Sequence, residues 1–194
     1  MQGSKRGENQ QDYKQAELTW NMLEKVKEYV KEVYEGYVDH FDRTVYWIKQ
    51  LRPDADEALL IAGYSHDIQR KISPQEEPKF VKGDQLRYHQ EEGGRIMYEW
   101  LKKNGASEEM AAKVKELISR HEEGGTEEQN VLRDADSLSF LETKVKAMKR
   151  RLERGHDRDD MKWKIDWMYE RIVSPEAKRI AKPLYEKMKE GLGL

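Results

Sequence analysis

The strongest constraint on the fold is an apolar stripe that recurs at helical spacing near the beginning of the chain. A gap of three or four residues between apolar positions places their side chains on one face of an α-helix, where they can be buried together. We therefore predict a first long helix over residues 18–34. The apolar positions of this stripe are Leu18, Met22, Val26, Val30 and Val33.

Helical spacing continues through most of the remaining sequence. Residues 40–48 form a second predicted helix, which is ended by a proline-containing turn, residues 52–54. Residues 56–67 form a third, and its apolar run, residues 58–62, predicts a central position in the core. Further helices are predicted over residues 84–104, 107–121, 129–152, 159–172 and 175–189.

Turn residues separate the later helices. A polar stretch with two prolines, residues 71–82, predicts a loop that could border a pocket. Glycine and proline break the helical pattern at four later places, and we find no convincing strand. The sequence therefore predicts an all-α fold. The four breaks are Gly105, Gly124-Gly125, Gly155 and Ser174-Pro175.

The composition suits one domain with a small or locally bound partner. The 194 residues are 37% hydrophobic and include five tryptophans and ten tyrosines, which is enough to fill a single core. Basic and acidic residues nearly balance, 36 against 38, so no global field draws the chain to nucleic acid or to an anionic membrane. Residues 1–15 lack the apolar stretch of a signal peptide, and no segment approaches the roughly 20 apolar residues of a membrane span. We expect a cytoplasmic protein.

Histidine and aspartate indicate the chemistry of the chain. Four of its five histidines fall in one ordered series with two aspartates. Imidazole and carboxylate hold Mn, Fe, Co, Ni or Zn where no thiolate is available, and the chain has no cysteine. A single histidine is more often a surface or hydrogen-bonded core residue, but the ordered series as a whole predicts a metal site. Its members are His40, His66, Asp67, His89, His121 and Asp136.

The adjacent pair His66-Asp67 suits a shared site at the end of the third predicted helix. The two oxygens of one carboxylate can reach two metal ions, while the neighbouring imidazole binds one of them. Asp136 lies in a mixed apolar and acidic segment, where an inward carboxylate needs a cation to offset its desolvation. His89 and His121 lie on later predicted helices and could complete a second metal centre that shares Asp67.

The series resembles the pattern of the HD-domain metal-dependent phosphohydrolase superfamily. Written by residue type, members that hold two metals have H…HD…H…H…D, and members that hold one have H…HD…D. The sequences around the first histidine, residues 39–45, and the last aspartate, residues 135–138, are also similar to the family's motifs. The resemblance covers roughly residues 38–141. It departs from the commoner His-Asp-Ile-Gly-Lys motif at Gln69 and Arg70.

This resemblance implies a helical bundle of the HD-domain type, in which residues 18–142 form the metal-binding domain. Residues 143–194 would be a C-terminal helical extension that packs on the same domain, and residues 1–17 a flexible N-terminal segment. The implied activity is hydrolysis of a nucleotide or related small phosphate ester through a metal-activated hydroxide. The implied cofactors are two divalent metal ions from among Mn, Fe, Co, Ni, Mg and Zn. The implied partner is the small phosphate substrate, with no membrane partner.

Cationic residues near the series are candidates for substrate contact. Charge on the phosphoryl oxygens and on the leaving group calls for a cationic clamp. Arg43, Arg70 and Lys71 each lie three or four residues from a predicted ligand, a spacing that brings side chains together on a helix. We assign these three residues, with Asp67, to the catalytic site. For Arg43 or Arg70 a structural salt bridge is an equally good interpretation.

Two alternatives to hydrolysis stay open. Some HD-domain proteins that resemble this six-ligand pattern carry a di-iron centre and oxidise a substrate with O₂, and their ligand types are the same. The other alternative is a binding or regulatory module with a relic metal site. Six intact ligands argue against a relic, because metal binding is what explains keeping them in inward-facing motifs.

Two further patterns are assigned to structure rather than to function. The basic stretch of residues 144–158 could attract a polyphosphate, but a solvated helix face is the favoured interpretation. Trp163, Trp167 and Tyr169 recur at helical spacing. Such a group more often means core packing than a platform for base stacking.

Overall fold

The computed structural model describes residues 21–74 and 83–194, and every regular element within those ranges is helical. The predicted all-α fold is confirmed. The predicted flexible segment, residues 1–17, lies outside the described residues, as do residues 18–20 of the first predicted helix and residues 75–82 of the predicted loop. None of the described helices is both long and apolar enough to cross a membrane. In chain order the helices are α1 (Met22–Val33), α2 (Asp39–Leu51), α3 (Glu57–Ser65), α4 (Gln69–Ile72), α5 (Asp84–Lys103), α6 (Glu108–Ile118), α7 (Glu127–Thr143), α8 (Val145–Glu153), α9 (Arg158–Glu170) and α10 (Pro175–Leu192).

Local sequence signals start several of these helices. The Asp56 side chain accepts a hydrogen bond from the Leu59 amide at 3.0 Å and caps α3. Thr126 and Gln129 form a reciprocal capping box at the beginning of α7, and Ser174 caps α10. Each cap satisfies amide groups that the first turn of a helix leaves without partners.

One predicted helix is two helices in the structure. The prediction of a single helix over residues 129–152 is wrong, because α7 ends at Thr143 and α8 begins at Val145. The backbone of the intervening Lys144 has φ −89° and ψ 0°. Residues of many types can adopt this conformation, so the break between the two helices needs neither glycine nor proline and has no breaker signal in the sequence.

The third predicted helix has the central position that its apolar run predicts. Nearly all side chains of α3 are buried, and the helix packs against α1, α2, α6 and α7. It ends at Ser65 rather than at Asp67, and a turn carries the chain into the short α4. The His66-Asp67 pair therefore lies in this turn, in the middle of the bundle.

The core has two parts that meet at α7. The first lies between α1, α2, α3, α5 and α6 and includes Leu132 and Ala135 of α7. The second lies between α8, α9 and α10 and includes Leu138 and Leu141 of α7. Because α7 contributes to both parts, the last three helices pack on the same helix that carries Asp136.

Gly94 allows α5 and α6 to approach closely, and we expect Gly94→Ala to destabilise the fold. A Cβ at this position would lie 2.7 Å from the carbonyl oxygen of Lys115 and would press against the Ser119 hydroxyl. The helices would have to separate, and we expect a loss of about 1–3 kcal/mol in the free energy of unfolding in urea. Gly191→Ala is the matched control, since its Cβ would meet Val145 at 3.5 Å, an ordinary contact. Equal urea midpoints for the two variants would contradict the prediction.

Candidate metal centre

The structure brings all six predicted metal ligands into one cluster at the centre of the bundle. They come from α2, from the turn after α3, from α5, from the turn after α6, and from α7. In each of two groups of three residues, the ligand atoms lie within 4.8 Å of one another. All are buried except Asp67, whose side chain is 19% exposed. One group is His40, His66 and Asp136, and the other is Asp67, His89 and His121.

The first group is organised around one carboxylate oxygen. Asp136 Oδ1 lies 3.1 Å from His40 Nε2 and 3.3 Å from His66 Nε2. The centroids of the two imidazole rings are 5.3 Å apart. Two nitrogens and one oxygen thus face the same small volume, as ligands do around a common ion.

The second group is organised around Asp67. Its Oδ1 lies 3.0 Å from His89 Nε2, and the centroids of the His89 and His121 rings are 5.3 Å apart. The His121 ring also lies 5.1 Å from the His66 ring. The two groups are therefore contiguous, and they are joined a second time because Asp67 directly follows His66 in the chain.

Hydrogen bonds to the main chain orient two of the imidazoles. His66 Nδ1 donates to the carbonyl oxygen of Gly63 at 3.0 Å, and His121 Nδ1 donates to the carbonyl oxygen of Ile118 at 2.7 Å. A carbonyl oxygen can only accept, so Nδ1 carries a proton in both rings. Both acceptors lie in the last turn of a helix, where carbonyl groups lack partners within the helix. These bonds direct Nε2 of each ring into the cluster.

Side chains orient the other two imidazoles. His40 Nδ1 donates to Ser139 Oγ at 2.8 Å, because that hydroxyl uses its own proton on the His40 carbonyl oxygen at 2.7 Å. His89 Nδ1 donates to Gln69 Oε1 at 2.9 Å. Gln69 is one of the two positions at which the sequence departs from the commoner HD motif, and here it positions a predicted ligand. Such hydrogen bonds at the second nitrogen are what orient metal-ligating histidines in proteins.

Two buried nitrogen atoms of the cluster make no hydrogen bond, although a carboxylate oxygen lies 3.3 Å from the first and 3.7 Å from the second. Nε2 of His66 and Nε2 of His121 are buried and have no hydrogen bond to any part of the chain that the structure describes. A buried polar atom without a hydrogen bond costs free energy, and a cation shared with the nearby carboxylates would remove that cost. Imidazole with carboxylate is the donor set of divalent transition metals. The cluster can therefore hold a metal ion.

Burial and neighbouring charge set the protonation of these groups. Burial lowers the pKa of His40 and of His121 to about 4, so both rings are neutral at neutral pH and can act as ligands. Burial also disfavours charge on His66, but Asp136 outweighs it and raises the pKa of His66 to about 8. Metal binding at His66 would thus release a proton from Nε2. Burial opposes ionisation of Asp67, but Arg70 and His66 hold its pKa well below the ordinary value.

Two charged residues that the sequence analysis missed complete the cluster. Glu122 is buried, and it forms a third group of close ligand atoms with His121 and Asp136. Arg171 follows α9, and its side chain is only 5% exposed. Its Nη atoms form ion pairs with Glu122 and with Asp136 Oδ2, and its Nε donates to Ser137 Oγ at 2.8 Å. Arg171 therefore holds one oxygen of Asp136 while the other oxygen faces the histidines.

The sequence contains only a weak signal for Arg171. Lys164, Trp167 and Arg171 recur at helical spacing, and they continue a face of α9 that holds the buried Met161 and Met168. A charged residue on an apolar face needs a buried partner or ligand, so this pattern could have drawn attention to it. No local sequence pattern identifies the partner of Arg171, because Glu122 lies 49 positions earlier in the chain.

Arg70 is the one predicted substrate-contact cation that the structure places at the cluster. Its Nε donates to Asp67 Oδ1 at 2.8 Å, and its Nη2 lies 3.8 Å from Glu122 Oε1. Its side chain is 40% exposed. Arg70 thus makes a structural salt bridge, which is one of the two interpretations that the sequence left open, and its side chain remains partly exposed.

Arg43 and Lys71 have other surroundings. Arg43 donates to Glu142 Oε2 at 2.7 Å and stacks over the Tyr46 ring at 3.8 Å. Lys71 is exposed, and its Nζ lies 5.6 Å from the centre of the Tyr34 ring. The structure does not bring either cation into contact with the ligand cluster, so Arg43 follows the structural interpretation that the sequence left open.

Two surface clefts lie apart from the cluster. One, of about 400 Å³, lies beside Trp163 and Trp167, and the other, of about 760 Å³, lies between α6 and the beginning of α7. None of the six predicted ligands lines either cleft. The ligands of the cluster are largely buried, and Asp67 and the neighbouring Arg70 have the more exposed side chains, at 19% and 40%.

His121→Ala tests whether the second group binds an ion of its own. We expect bound manganese to fall from about two ions per chain to about one, because the group of His40, His66 and Asp136 stays complete. The measurement is elemental analysis after reconstitution and gel filtration, with circular dichroism as the check on folding. His156→Ala is the control, since His156 lies outside the cluster. Two ions in both variants would contradict the assignment.

Comparison with known proteins identifies one family. A family described as a domain of unknown function (DUF4202) matches residues 8–192. No curated protein and no solved structure matches the chain. The family match includes the ligand cluster, Arg171 and the C-terminal helices. The chain belongs to the DUF4202 family.

Proposed function

We propose that this protein is a metal-dependent phosphohydrolase of the HD-domain type, which acts on a nucleotide or a related small phosphate ester. One observation carries the proposal: four buried imidazoles, each held by a hydrogen bond at Nδ1, direct their Nε2 atoms at Asp67 and Asp136. The order of these ligands along the chain resembles that of two-metal HD-domain proteins.

The two groups of three ligands would each hold one divalent ion. Ions bound there supply Lewis-acid activation of water and of the phosphoryl oxygens. The chain contributes orientation, because the Nδ1 hydrogen bonds set the imidazoles before any ion binds. It also contributes charge: burial opposes ionisation of Asp136, but His66 and Arg171 hold its pKa well below the ordinary value.

The cations beside the cluster support an anionic substrate. Arg70 lies on the exposed side of the cluster, where it can turn from Asp67 to the phosphoryl oxygens, and a guanidinium can bind two such oxygens at once. Arg171 lies among buried groups and keeps Asp136 in place. The burial of the ligands strengthens these interactions, since charges attract more strongly where bulk water is excluded.

The test is metal reconstitution followed by a phosphate-release screen. Protein freed of metal would be loaded separately with Mn, Co, Ni, Mg, Fe or Zn, and bound metal would be counted by elemental analysis. Each form would then be assayed on nucleoside mono-, di- and triphosphates and on a phosphodiester, in air and under argon. We expect about two ions per chain. We also expect phosphate release that chelation abolishes, that Mn, Co or Ni restores, and that does not need oxygen.

Two results would overturn the proposal. Bound metal far below one ion per chain after loading, with activity unchanged, would show that the cluster is not a metal site. Substrate consumption that needs O₂ and releases no phosphate would indicate the di-iron oxygenase instead. The argon arm separates these reactions because hydrolysis consumes water and no oxygen.

A further inference from the structure

The third group of close ligand atoms, from His121, Glu122 and Asp136, has the composition of a cation site. The ligand atoms lie within 4.8 Å of one another, and all three residues are buried. Glu122 Oε1 lies 3.7 Å from His121 Nε2, a buried nitrogen that makes no hydrogen bond within residues 21–74 and 83–194. Two carboxylates and one imidazole are suitable ligands for a divalent ion. The two ions of the proposed function leave this group unused.

His121 belongs to the second group and to the third, but its ring can serve only one ion. Nδ1 donates to the carbonyl oxygen of Ile118 at 2.7 Å. Nε2 is therefore the one nitrogen of the ring that remains for a metal. Both groups need this same nitrogen to reach three ligands. The second and third groups consequently compete for His121.

A guanidinium already lies at the carboxylates of the third group. The Nη atoms of Arg171 form ion pairs with Glu122 and with Asp136 Oδ2. The other oxygen of this aspartate, Oδ1, faces His40 and His66 in the first group. An ion in the third group would have to use Oδ2, because Oδ1 serves the first group. Such an ion would compete with Arg171 for that oxygen.

Several contacts hold Arg171 in this position. Its Nε donates to Ser137 Oγ at 2.8 Å, and its Cζ lies 4.6 Å from the centre of the Trp167 ring. The side chain is only 5% exposed. A guanidinium stays charged at any ordinary pH. Arg171 is therefore a fixed positive charge at the carboxylates of the third group.

The number of carboxylates explains what this fixed charge accomplishes. The third group contains two carboxylates, whereas the second contains one. Attraction for a divalent ion increases with the number of charged ligands. Without Arg171, an ion would favour the third group and would take His121 with it. Asp67 and His89 would then lack the third ligand of the second group.

We propose that the guanidinium of Arg171 occupies a cation site in the third group and thereby directs the second divalent ion to the group that contains Asp67. Arg171 is then a positioning residue, which decides where an ion binds without touching the ion or the substrate. The site that it blocks takes a divalent cation once the guanidinium is removed. The inference rests on the metal centre of the proposed function, but it does not depend on hydrolysis.

Counting bound manganese in four proteins tests the inference. Metal-free protein would be loaded with manganese, passed through gel filtration and subjected to elemental analysis. We expect about two ions per chain in the parent and about one in His89→Ala, because the second group loses a ligand. His89→Ala combined with Arg171→Met should hold about two, because the third group can now bind an ion. Adding Glu122→Gln to this double variant should return the count to about one.

Arg179→Met is the matched control for the loss of an arginine, because Arg179 is exposed on α10. Combined with His89→Ala, it should leave the count at about one ion. Circular dichroism would show that each variant is folded. A single ion in folded His89→Ala with Arg171→Met would overturn the inference. Two ions after the addition of Glu122→Gln would overturn it as well.

Glu122→Gln in the parent background tests the inference with Arg171 in place. Glutamine has nearly the shape of glutamate but lacks its charge, so the buried site should keep its packing. We expect this variant to hold about two ions, as the parent does, because Arg171 keeps ions away from Glu122. A fall to about one ion would show that Glu122 is a ligand of the second ion in the parent, and the inference would be wrong.

These measurements separate failure of the inference from failure of the proposed function. A parent that binds far less than one ion would overturn both. The expected series of ion counts without any phosphate release would overturn the proposed function and leave the inference intact. Two ions in the parent and one in His89→Ala, with no recovery on addition of Arg171→Met, would overturn the inference alone.

Discussion

Asp67→Ala is expected to lower phosphate release by about 1000-fold or more, the largest loss for any single substitution in the chain. The reason is position: Asp67 belongs to the group with His89 and His121, directly follows His66, and accepts from Arg70 at 2.8 Å. Removing its carboxylate takes a ligand from one group and leaves Arg70 without its partner. The measurement is kcat/KM for phosphate release by metal-loaded protein.

Asp54→Ala is the control for loss of a carboxylate, because Asp54 lies in an exposed turn with its side chain 83% exposed. It should keep the activity of the parent. Circular dichroism and a urea midpoint would show that Asp67→Ala is folded. If folded Asp67→Ala kept activity within about tenfold of the parent, the proposed role of the cluster in hydrolysis would be wrong.

Arg171→Met is expected to destabilise the metal-free protein by about 3–5 kcal/mol. Arg171 is the common partner of Glu122 and Asp136, both buried. Without it, two carboxylates stay close together in the interior with less compensating charge. The measurement is the free energy of unfolding in urea. Arg179→Met, an exposed change on α10, is the matched control and should be neutral.

Metal binding should reduce the effect of Arg171→Met. A divalent ion near Asp136 supplies positive charge that the variant has lost, and any ligand that binds only the folded state stabilises it. We therefore expect the difference from the parent to be smaller in manganese-loaded protein than in metal-free protein. An equal stability of the metal-free variant and parent would show that Arg171 is not needed to compensate the two carboxylates.

The helical class of this protein is determined locally, and for that reason the sequence predicts it. The apolar positions of α1 and α3 lie within a few residues of one another along the chain. Their helical pattern can therefore be recognised without any knowledge of tertiary contacts. The break at Lys144 could not be predicted in the same way. Its backbone stays close to helical values, and the break there is not marked by any residue that disfavours a helix.

The candidate site likewise has features that the sequence predicts and features that it leaves open. Its six candidate ligands are of distinctive residue types in a recognisable order, and the orientation of His66 and His121 depends on carbonyl groups only three positions earlier. The sequence could not decide between a substrate contact and a salt bridge for Arg43, because a cation three residues from a candidate ligand can also reach a carboxylate that is distant in the chain. In the structure Arg43 pairs with Glu142, 99 positions away.

Tertiary structure alone decided the charge network around the ligands. Arg171 meets Asp136 across 35 positions and Glu122 across 49, and Lys164 enters the same interior from α9. No periodicity connects such positions, because ion pairs between helices depend on which faces pack together. The sequence by itself therefore determined the helical class and the six candidate ligands. The packing of α9 against α7 decided which cation compensates the carboxylates of the cluster.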